Sequence, residues 1–357
     1  MRDREGNDNG EDCRAILHFL KESPQAKSVE LIKRALTQDL CWRIPKVRVA
    51  ERAVILAEAW HQLLPDDIRA VFPASSLGIE ELSQATRQQK ERRDVGIVTV
   101  IGPELLAVLR AMGRLANDRP DQKSGSFSYW FGKVERVNDV PLSIVVTVVA
   151  EPRNVPAALA VAQLLRDFDV GLLLLTGICA GVRGKVGLGD VVWARVVYDY
   201  EGARLERTGP WPFWFFRRRA RPREWNAPKR VLVAMQQYDP PNMHRLWKQL
   251  MQDLRSEDLP EDWSSRVPSM HSGTIAVGEK LIADGSLRRM FRRVDQEIRA
   301  GAMEDSGFAQ AAEAYGVPWC IFRGVSDHAD PLKGDKWRNA SAVAAAAAAI
   351  IFLREQW

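Results

Sequence analysis

The chain has 357 residues, of which 46% are hydrophobic and 27% are charged, with a formal net charge of +5. This length favours two domains, and the apolar fraction is sufficient for a core. No apolar run approaches the roughly 20 residues of a membrane helix, and residues 1–6 are polar, unlike a signal peptide. These properties exclude an integral membrane protein with helical spans and lead us to expect a soluble, cytoplasmic protein.

Cysteines and histidines give no sign of a metal site. The four cysteines are far apart and two lie in apolar runs: Cys13, Cys41, Cys179 and Cys320. Free buried thiols in a reducing compartment are expected rather than disulfides. The five histidines also lack the spacing of metal ligands. We therefore expect neither a metal nor a cofactor.

The N-terminal quarter differs in pattern from the rest of the chain. Residues 12–90 carry apolar residues at helical spacing, separated by polar breaks that contain prolines. The pattern predicts a small all-α domain over 1–90. Residues 84–94 are almost wholly polar and charged, which suits a linker or a solvated helix. A second domain is therefore expected over 91–357.

From Val95 onward, short β-branched apolar runs alternate with helical segments. The predicted strands are 95–101, 142–149, 170–175 and 189–198, and the predicted helices include 157–162 and an alanine-rich helix over 341–353. Alternation of this kind predicts an α/β domain with a mixed, largely parallel central sheet flanked by helices.

Positive charge is concentrated in two clusters, Arg217–Arg223 and residues 288–293. The first follows an aromatic stretch over 211–216. Such clusters bind phosphates, nucleic acid or an acidic surface, or they form a solvated loop and a solvated helix face. Prolines around the first cluster interrupt any long amphipathic helix. We expect neither a membrane nor nucleic acid as the partner.

The most informative stretch lies between residues 302 and 330. Met303 and Glu304 stand where a helix is predicted to begin. An apolar run then ends in Arg323-Gly324-Val325-Ser326-Asp327, which predicts a buried strand that delivers Asp327 to the carboxyl edge of the sheet. Open α/β sheets bind ligands at that edge. Two carboxylates placed there can hold a sugar and protonate a leaving group.

A glycine-containing turn follows the predicted strand over 170–175. Its residues, 176–181, read Thr-Gly-Ile-Cys-Ala-Gly, and glycine lets backbone N–H groups approach a ligand closely. A tight turn without any function gives the same pattern. The spacing is not Gly-x-Gly-x-x-Gly, and the chain has no Gly-Lys-Ser/Thr phosphate loop. Dinucleotide binding is therefore not predicted.

Five ordered segments resemble motifs of the purine nucleoside phosphorylase and nucleosidase superfamily. They are residues 176–192, 198–204, 272–281, 303–304 and 323–330. The resemblance spans about residues 94–353. It implies a nucleoside phosphorylase-like fold and cleavage of the bond between a purine base and ribose.

The resemblance also implies roles for individual residues. Asp327 matches the general acid that protonates the purine, Glu304 matches the residue that accepts hydrogen bonds from the ribose hydroxyls, and Met303 packs on the sugar. The residue types alone leave other roles open. Asp327 also suits a strand-end cap or a partner of Arg323, Glu304 suits a helix start, and Met303 suits a core.

Further substrate contacts are implied at Gly177, Ile178 and Ser326, within the same motifs. The segment 101–109 resembles a nucleosidase segment that places Glu104 where water is activated; a glutamate in the first turn of a helix is the alternative. No arginine-bearing phosphate loop follows the first predicted strand. Hydrolysis is therefore favoured over phosphorolysis.

Arg153 departs from the family pattern, which usually has glycine at this position beside the sugar. A cation there can meet the phosphates of a nucleotide, so the departure predicts a nucleotide rather than a nucleoside substrate; a surface arginine is the alternative. A basic insertion over about 206–267, which contains Arg217–Arg223, offers further phosphate contacts or a lid.

Nucleosidase-like domains joined to small helical modules resemble effectors of bacterial anti-phage and conflict systems, in which an adaptor gathers or activates the enzyme. We therefore expect a protein partner for residues 1–90 and a homo-oligomer. The alternatives are a housekeeping methylthioadenosine/adenosylhomocysteine nucleosidase, a purine nucleoside phosphorylase, and a non-catalytic module that senses nucleotides or nucleic acid.

Overall fold

The computed structural model describes residues 90–357, except 116, 138, 209–214, 239, 280–296 and 330–334. The predicted all-α domain over 1–90 and the basic cluster over 288–293 lie outside the described residues, as do the side chains of 215–220. Among the helices of the described part, none is both long enough and apolar enough to cross a bilayer.

The described residues form twelve strands and six α-helices. The strands are β1 (Glu91–Thr99), β2 (Gln122–Ser124), β3 (Phe127–Arg136), β4 (Asp139–Val148), β5 (Phe168–Gly181), β6 (Val191–Asp199), β7 (Ala203–Thr208), β8 (Phe215–Ala220), β9 (Arg223–Asn226), β10 (Met270–Val277), β11 (Ile298–Ala302) and β12 (Trp319–Asp327). The helices are α1 (Gly102–Ala111), α2 (Asn154–Asp167), α3 (Lys229–Gln236), α4 (Pro240–Gln252), α5 (Asp305–Ala314) and α6 (Arg338–Gln356).

Ten of these strands form one mixed sheet in the order β11-β10-β6-β12-β5-β1-β4-β3-β2, with β9 paired to β6. Parallel pairings join β4, β1, β5 and β12, and a second parallel group joins β6, β10 and β11. The two groups meet antiparallel, at β12–β6 and at β5–β11. Because β11 pairs with both β10 and β5, five strands close into a ring.

The predicted α/β class and mixed sheet are confirmed. The four strands predicted from β-branched runs correspond to β1, β4, β5 and β6. Sequence reasoning missed β3 and the reversal of direction between the two parallel groups, since a hydrophobic pattern does not say which strands pair. The consequence for function is that residues from strands of both directions meet beside β5.

The core lies on both faces of the sheet. Leu172, Leu173, Leu174 and Leu175 of β5 are fully buried, as expected of a central strand covered by helices on both sides. Helix α6 is buried along most of its length, which its alanines permit because they are small. Gly324 makes this packing possible: a Cβ atom there would overlap the backbone oxygen of Ser341.

Much of the predicted insertion over 206–267 belongs to the core. Strand β9 pairs with β6, and α4 packs against α6. The buried residues of α4 are Met243, Trp247, Leu250 and Met251. This part of the insertion therefore completes the fold and does not form a lid. The cysteines Cys179 and Cys320 are buried and free, as predicted, whereas Cys13 and Cys41 lie outside the described residues.

Candidate active site

Strand β5 brings the predicted site residues together. Its partner β12 runs parallel, and the register places Arg323 beside Gly177 and Asp327 beside Ala180. On its other side β11 runs antiparallel, so the chain that leaves β11 heads back along β5. Glu304, two residues after β11, thereby reaches the same part of β5 as Arg323.

Glu104 lies in the first turn of α1 and is 3% exposed. Its Oε2 accepts hydrogen bonds from the backbone N–H groups of Val100 at 2.6 Å and Ile101 at 3.1 Å, and its Oε1 accepts one from Ile178 at 2.9 Å. The carboxyl group therefore satisfies the start of α1 and also reaches β5. Burial raises its pKa, although Arg323 and the three N–H groups act in the opposite direction.

Arg323 is the central cation of the site and is buried. Its Nη2 donates to Oε2 of Glu304 at 2.8 Å, and its Nε donates to Oδ1 of Asp305 at 2.9 Å. The same Asp305 oxygen also accepts from Nη2. Nη1 donates to the backbone oxygen of Ile178 at 3.3 Å. We refer to Glu104, Glu304, Asp305 and Arg323 as the Arg323 cluster.

Glu304 occupies the N-cap position of α5, the helix start that its residue type allowed, but its side chain makes no capping hydrogen bond. Burial raises the pKa of its carboxyl group, as do Asp305 and Glu104, and against the opposing effect of Arg323 the pKa reaches about 7. Glu304 therefore changes its charge near neutral pH. Met303, the preceding residue, is partly exposed.

Gly177 allows the Arg323 cluster to reach the backbone of β5. A Cβ atom at this position would lie 2.6 Å from Oε1 of Glu104 and closer still to Nη1 of Arg323. Both side chains are buried and cannot move aside into solvent. The glycine is therefore required by a close approach of side chains. The turn predicted over residues 176–181 is wrong, because these residues form the last part of β5.

Asp327 is the last residue of β12 and is 8% exposed. Its Oδ1 accepts a hydrogen bond from the N–H of Ala329 at 2.8 Å, and its Oδ2 lies 3.0 Å from the hydroxyl of Ser326. The register of β12 on β5 slips between Val325 and Asp327, so Ser326 is the extra residue of a β-bulge. Bulges next to active sites re-aim side chains, and this one sets the direction of Asp327.

Arg153 lies in the exposed loop before α2. Its φ of 135° and ψ of 163° fall in a region that glycine alone adopts readily. The next residue, Asn154, donates to Glu279 at 2.9 Å and accepts from the hydroxyl of Ser306 at 2.8 Å. The loop is thereby tied to the beginning of α5, two residues beyond Glu304.

A cavity of about 220 Å³ lies beside this connection. Three of the six polar residues that line it are acidic: Asn154, Asp199, Glu201, Glu279, Ser306 and Gln310. None of Glu104, Glu304 and Asp327 lines it. Within the described ranges, no three His, Cys, Asp or Glu side chains are grouped so that they could hold a metal ion.

Sequence reasoning missed two members of the Arg323 cluster in their observed roles. Arg323 was considered only as a partner of Asp327, and Asp305 was not considered. Both are charged residues beside apolar runs, at positions that a soluble protein seldom fills without a charged partner. A charged residue beside an apolar run indicates a buried charge pair, but it does not identify the partner.

Comparison with known proteins agrees with this arrangement of elements. Residues 94–354 match the phosphorylase superfamily. The ATP nucleosidase Cap17 of Escherichia coli (strain KTE188) is 28% identical over 302 residues, which cover 78% of this chain and 57% of the relative. The chain thus spans little more than half the length of that relative. A 5'-methylthioadenosine/S-adenosylhomocysteine nucleosidase of Maridesulfovibrio salexigens is 22% identical over 243 residues, covering 65% of this chain and 85% of the relative.

The fold is also similar to that of solved nucleosidases. The 5'-methylthioadenosine/S-adenosylhomocysteine nucleosidase of Neisseria meningitidis, in complex with methylthio-immucillin-A, aligns with a TM-score of 0.52 and 20% identity, covering 73% of this chain and 99% of that one. The enzyme of S. pneumoniae, with the transition-state inhibitor MT-ImmA, gives the same TM-score of 0.52. At this identity the likeness concerns the fold. Because the family match covers well over half of the chain, the chain belongs to the phosphorylase superfamily.

Proposed function

We propose that this chain is an N-glycosidase that hydrolyses the bond between the base and the ribose of a purine nucleotide or nucleoside. The observation that carries the proposal is the convergence of Glu104, Glu304 and Asp327 on one short segment of β5. The names of the relatives, an ATP nucleosidase and a methylthioadenosine/adenosylhomocysteine nucleosidase, support this reaction class.

The proposed chemistry divides the work among these carboxyl groups. Asp327 protonates the purine so that it can leave, and the hydrogen bonds from Ala329 and Ser326 hold its oxygens in place. Glu304 accepts hydrogen bonds from the ribose hydroxyls, and Met303 packs against the sugar. As the bond breaks the sugar becomes cationic, and the Arg323 cluster, with three carboxyl groups to one guanidinium, favours that charge.

Water is the proposed nucleophile, and Glu104 is the proposed base that activates it. Burial raises the pKa of Glu104, and a carboxylate with a raised pKa is a stronger base. A phosphorylase instead needs cations that are available to phosphate. Arg323, the cation next to Glu104, is already engaged by Glu304 and Asp305, which supports hydrolysis over phosphorolysis.

The proposed substrate is a nucleotide such as ATP, for which Arg153 supplies a positive charge near the sugar. Its side chain is exposed, and its backbone holds a conformation that costs an arginine on the order of 1–3 kcal/mol. Strain of that size persists where the surroundings enforce it, and such positions are concentrated at functional sites. The basic run Arg217–Arg223, whose first side chains lie outside the described residues, is a second proposed source of phosphate contacts.

We also propose a setting for this activity. The chain acts in the cytoplasm as a homo-oligomeric defence effector that depletes nucleotide, and the segment over 1–90 binds the protein partner that gathers or activates it. The domain division at residue 90 is part of this proposal. A housekeeping nucleosidase is the second candidate, favoured by the methylthioadenosine/adenosylhomocysteine nucleosidase relative.

The test is to incubate the full chain separately with ATP, AMP, adenosine and methylthioadenosine, with and without inorganic phosphate, and to follow free adenine by chromatography. Release from ATP or AMP without phosphate is the expected result. Release from methylthioadenosine alone would indicate the housekeeping nucleosidase, and release that requires phosphate would indicate a phosphorylase. If no substrate loses its base, a non-catalytic sensing module is the better description.

Asp327→Asn is the matched variant, because the amide keeps the shape of the side chain and loses the transferable proton. Base release should fall by about 10²- to 10⁴-fold, the usual contribution of a general acid. The unfolding temperature should change little, since Ala329 and Ser326 can still hydrogen-bond the side chain. An Asp327→Asn variant that releases base at the wild-type rate would remove Asp327 from the mechanism.

A further inference from the structure

Asp305 enters the reaction proposed above only as one charge of the Arg323 cluster, and it is entirely buried beside Glu304. Its Oδ1 accepts hydrogen bonds from Nε and Nη2 of Arg323. Its Oδ2 is also buried and has no hydrogen-bond partner among the described residues. Burying a carboxyl group with one oxygen unsatisfied costs free energy, so a purely structural role explains its presence poorly.

The contacts of Arg323 show what Asp305 does there. A single hydrogen bond from Nη2 to Glu304 leaves the guanidinium plane free to turn about that contact. Asp305 engages Nε as well as Nη2, and two contacts on one edge of a guanidinium fix its plane. The remaining nitrogen, Nη1, is thereby directed to the backbone oxygen of Ile178 in β5.

We propose that Asp305 is a positioning residue for the reaction described above: it orients Arg323 against Glu304 and β5, and it places a second carboxyl group beside Glu304. The inference rests on the proposed function, because it assigns Glu304 to the ribose. Asp305 itself contacts Arg323, through which it acts on Glu304.

Three charged groups act on Glu304, each from a different element: Arg323 from β12, Asp305 from α5 and Glu104 from α1. Burial and the two carboxyl groups raise the pKa of Glu304 to about 7, against the effect of Arg323. The ionised form accepts hydrogen bonds from the ribose hydroxyls best. Sugar binding should therefore strengthen as the pH rises through about 7.

Removing the charge of Asp305 lowers the pKa of Glu304 for two reasons. The repulsion between two adjacent carboxylates disappears, and Arg323 is left with Glu304 as its nearest ionised partner. Asp305→Asn keeps the shape of the side chain and one acceptor oxygen for Arg323. The predicted consequence is that the acidic limb of the pH profile moves to lower pH.

The experiment measures kcat/KM for base release between about pH 5 and pH 9 for the full-length wild type and for Asp305→Asn. The limb should shift by about one pH unit, so that the variant keeps near pH 6 the relative activity that the wild type shows near pH 7. Asp190→Asn is the matched control, because Asp190 is another part-buried carboxyl group whose contacts lie outside the Arg323 cluster. The acidic limb of the pH profile of Asp190→Asn should coincide with that of the wild type.

A second readout does not depend on catalysis. The ¹³C shift of the Glu304 carboxyl carbon, assigned by its loss in Glu304→Gln, should titrate near pH 7 in the wild type and at lower pH in Asp305→Asn. A wild-type Glu304 that titrates near the ordinary value of 4.5 would overturn the inference even if the variant does not fold. An acidic limb that stays in place in Asp305→Asn would also overturn it. Failure of base release from every substrate would reject the proposed function, whereas the titration would still decide the effect of Asp305 on Glu304.

Discussion

The buried carboxyl groups of the Arg323 cluster and the part-buried carboxyl group of Asp190 both lie beside β12, and their surroundings differ. In the Arg323 cluster, Glu304 and Asp305 bond the guanidinium group, and Glu104 interacts with it electrostatically. Burial raises the pKa values of Glu104 and Glu304, and the attraction of Arg323 does not offset it. One oxygen of Asp305 has no hydrogen-bond partner within the described residues. The cluster holds more negative charge than its environment neutralises.

Asp190, which precedes β6, is instead a carboxyl group whose negative charge is stabilised by hydrogen bonds. It accepts hydrogen bonds from Nε2 of His271 at 2.9 Å and from the N–H groups of Gly187 at 2.7 Å and Ser269 at 3.0 Å. Burial acts to raise the pKa of Asp190, but these hydrogen bonds lower it below its ordinary value. Its own backbone oxygen accepts from the N–H of Val325 in β12.

Asp190 therefore stabilises the fold, whereas the carboxyl groups of the Arg323 cluster are kept together although they destabilise it. Asp190 joins three chain segments with its hydrogen bonds satisfied. The Arg323 cluster keeps acidic groups close together at a cost in stability, and ionisable groups with raised pKa values in one place mark functional sites more often than structural ones. The variants below test this contrast.

A large loss of both activity and stability is expected from Gly177→Ala, which disturbs the Arg323 cluster without changing its charge. The added Cβ would meet Glu104 and Arg323, both buried, so the two side chains must shift. A misplacement of about 1 Å near reacting groups costs about 10²-fold in rate. We expect base release to fall by at least that factor, while overpacking lowers the free energy of unfolding by about 1–3 kcal/mol. Base-release assays and urea unfolding measure the two effects.

A control for this variant is Gly102→Ala, in the adjoining helix α1, because no atom lies within 4 Å of a Cβ atom there. Its activity should match that of the wild type. If Gly177→Ala were as active as Gly102→Ala, the side chains of the Arg323 cluster would not depend on close contact with β5.

Glu304→Gln should separate function from stability. The folded pKa of about 7 lies above the ordinary 4.5, so stability attributable to Glu304 is complete below about 4.5 and is lost as the pH rises through 7. Glutamine cannot ionise and avoids this loss. We expect the variant to release no detectable base, yet to exceed the wild type in free energy of unfolding at about pH 8 by about 2–3 kcal/mol.

Urea unfolding at about pH 5 and pH 8 measures the comparison, and the two proteins should differ little at the lower pH. A wild type that is more stable than Glu304→Gln at the higher pH would show that Arg323 satisfies Glu304 fully. The Arg323 cluster would then resemble Asp190, and the contrast between the two groups would fail.

The contrast also shows what could be predicted from the sequence. Residue types and their order identified Glu104, Glu304 and Asp327, and β-branched runs located the central strands. The convergence of these residues depends on β11 pairing antiparallel with β5, which joins segments more than 100 residues apart. Hydrophobic patterns do not determine such pairings. The roles of Asp305 and Arg323 follow from this pairing, so they appeared only in the structure.

The smallest effect is expected from Asp190→Asn, which removes the better satisfied charge. Asparagine retains one acceptor oxygen but loses the charge that strengthens the hydrogen bonds from His271, Gly187 and Ser269. We expect the free energy of unfolding at about pH 7 to fall by about 1–2 kcal/mol.

Because the folded pKa of Asp190 lies below its ordinary value, this contribution is present at higher pH and is lost as the pH falls through the folded pKa. Urea unfolding at neutral and acidic pH should therefore show wild type and variant converging in acid, opposite to the trend for Glu304→Gln. Equal stability of the two proteins at neutral pH would mean that Asp190 contributes as little to the fold as we infer for the Arg323 cluster.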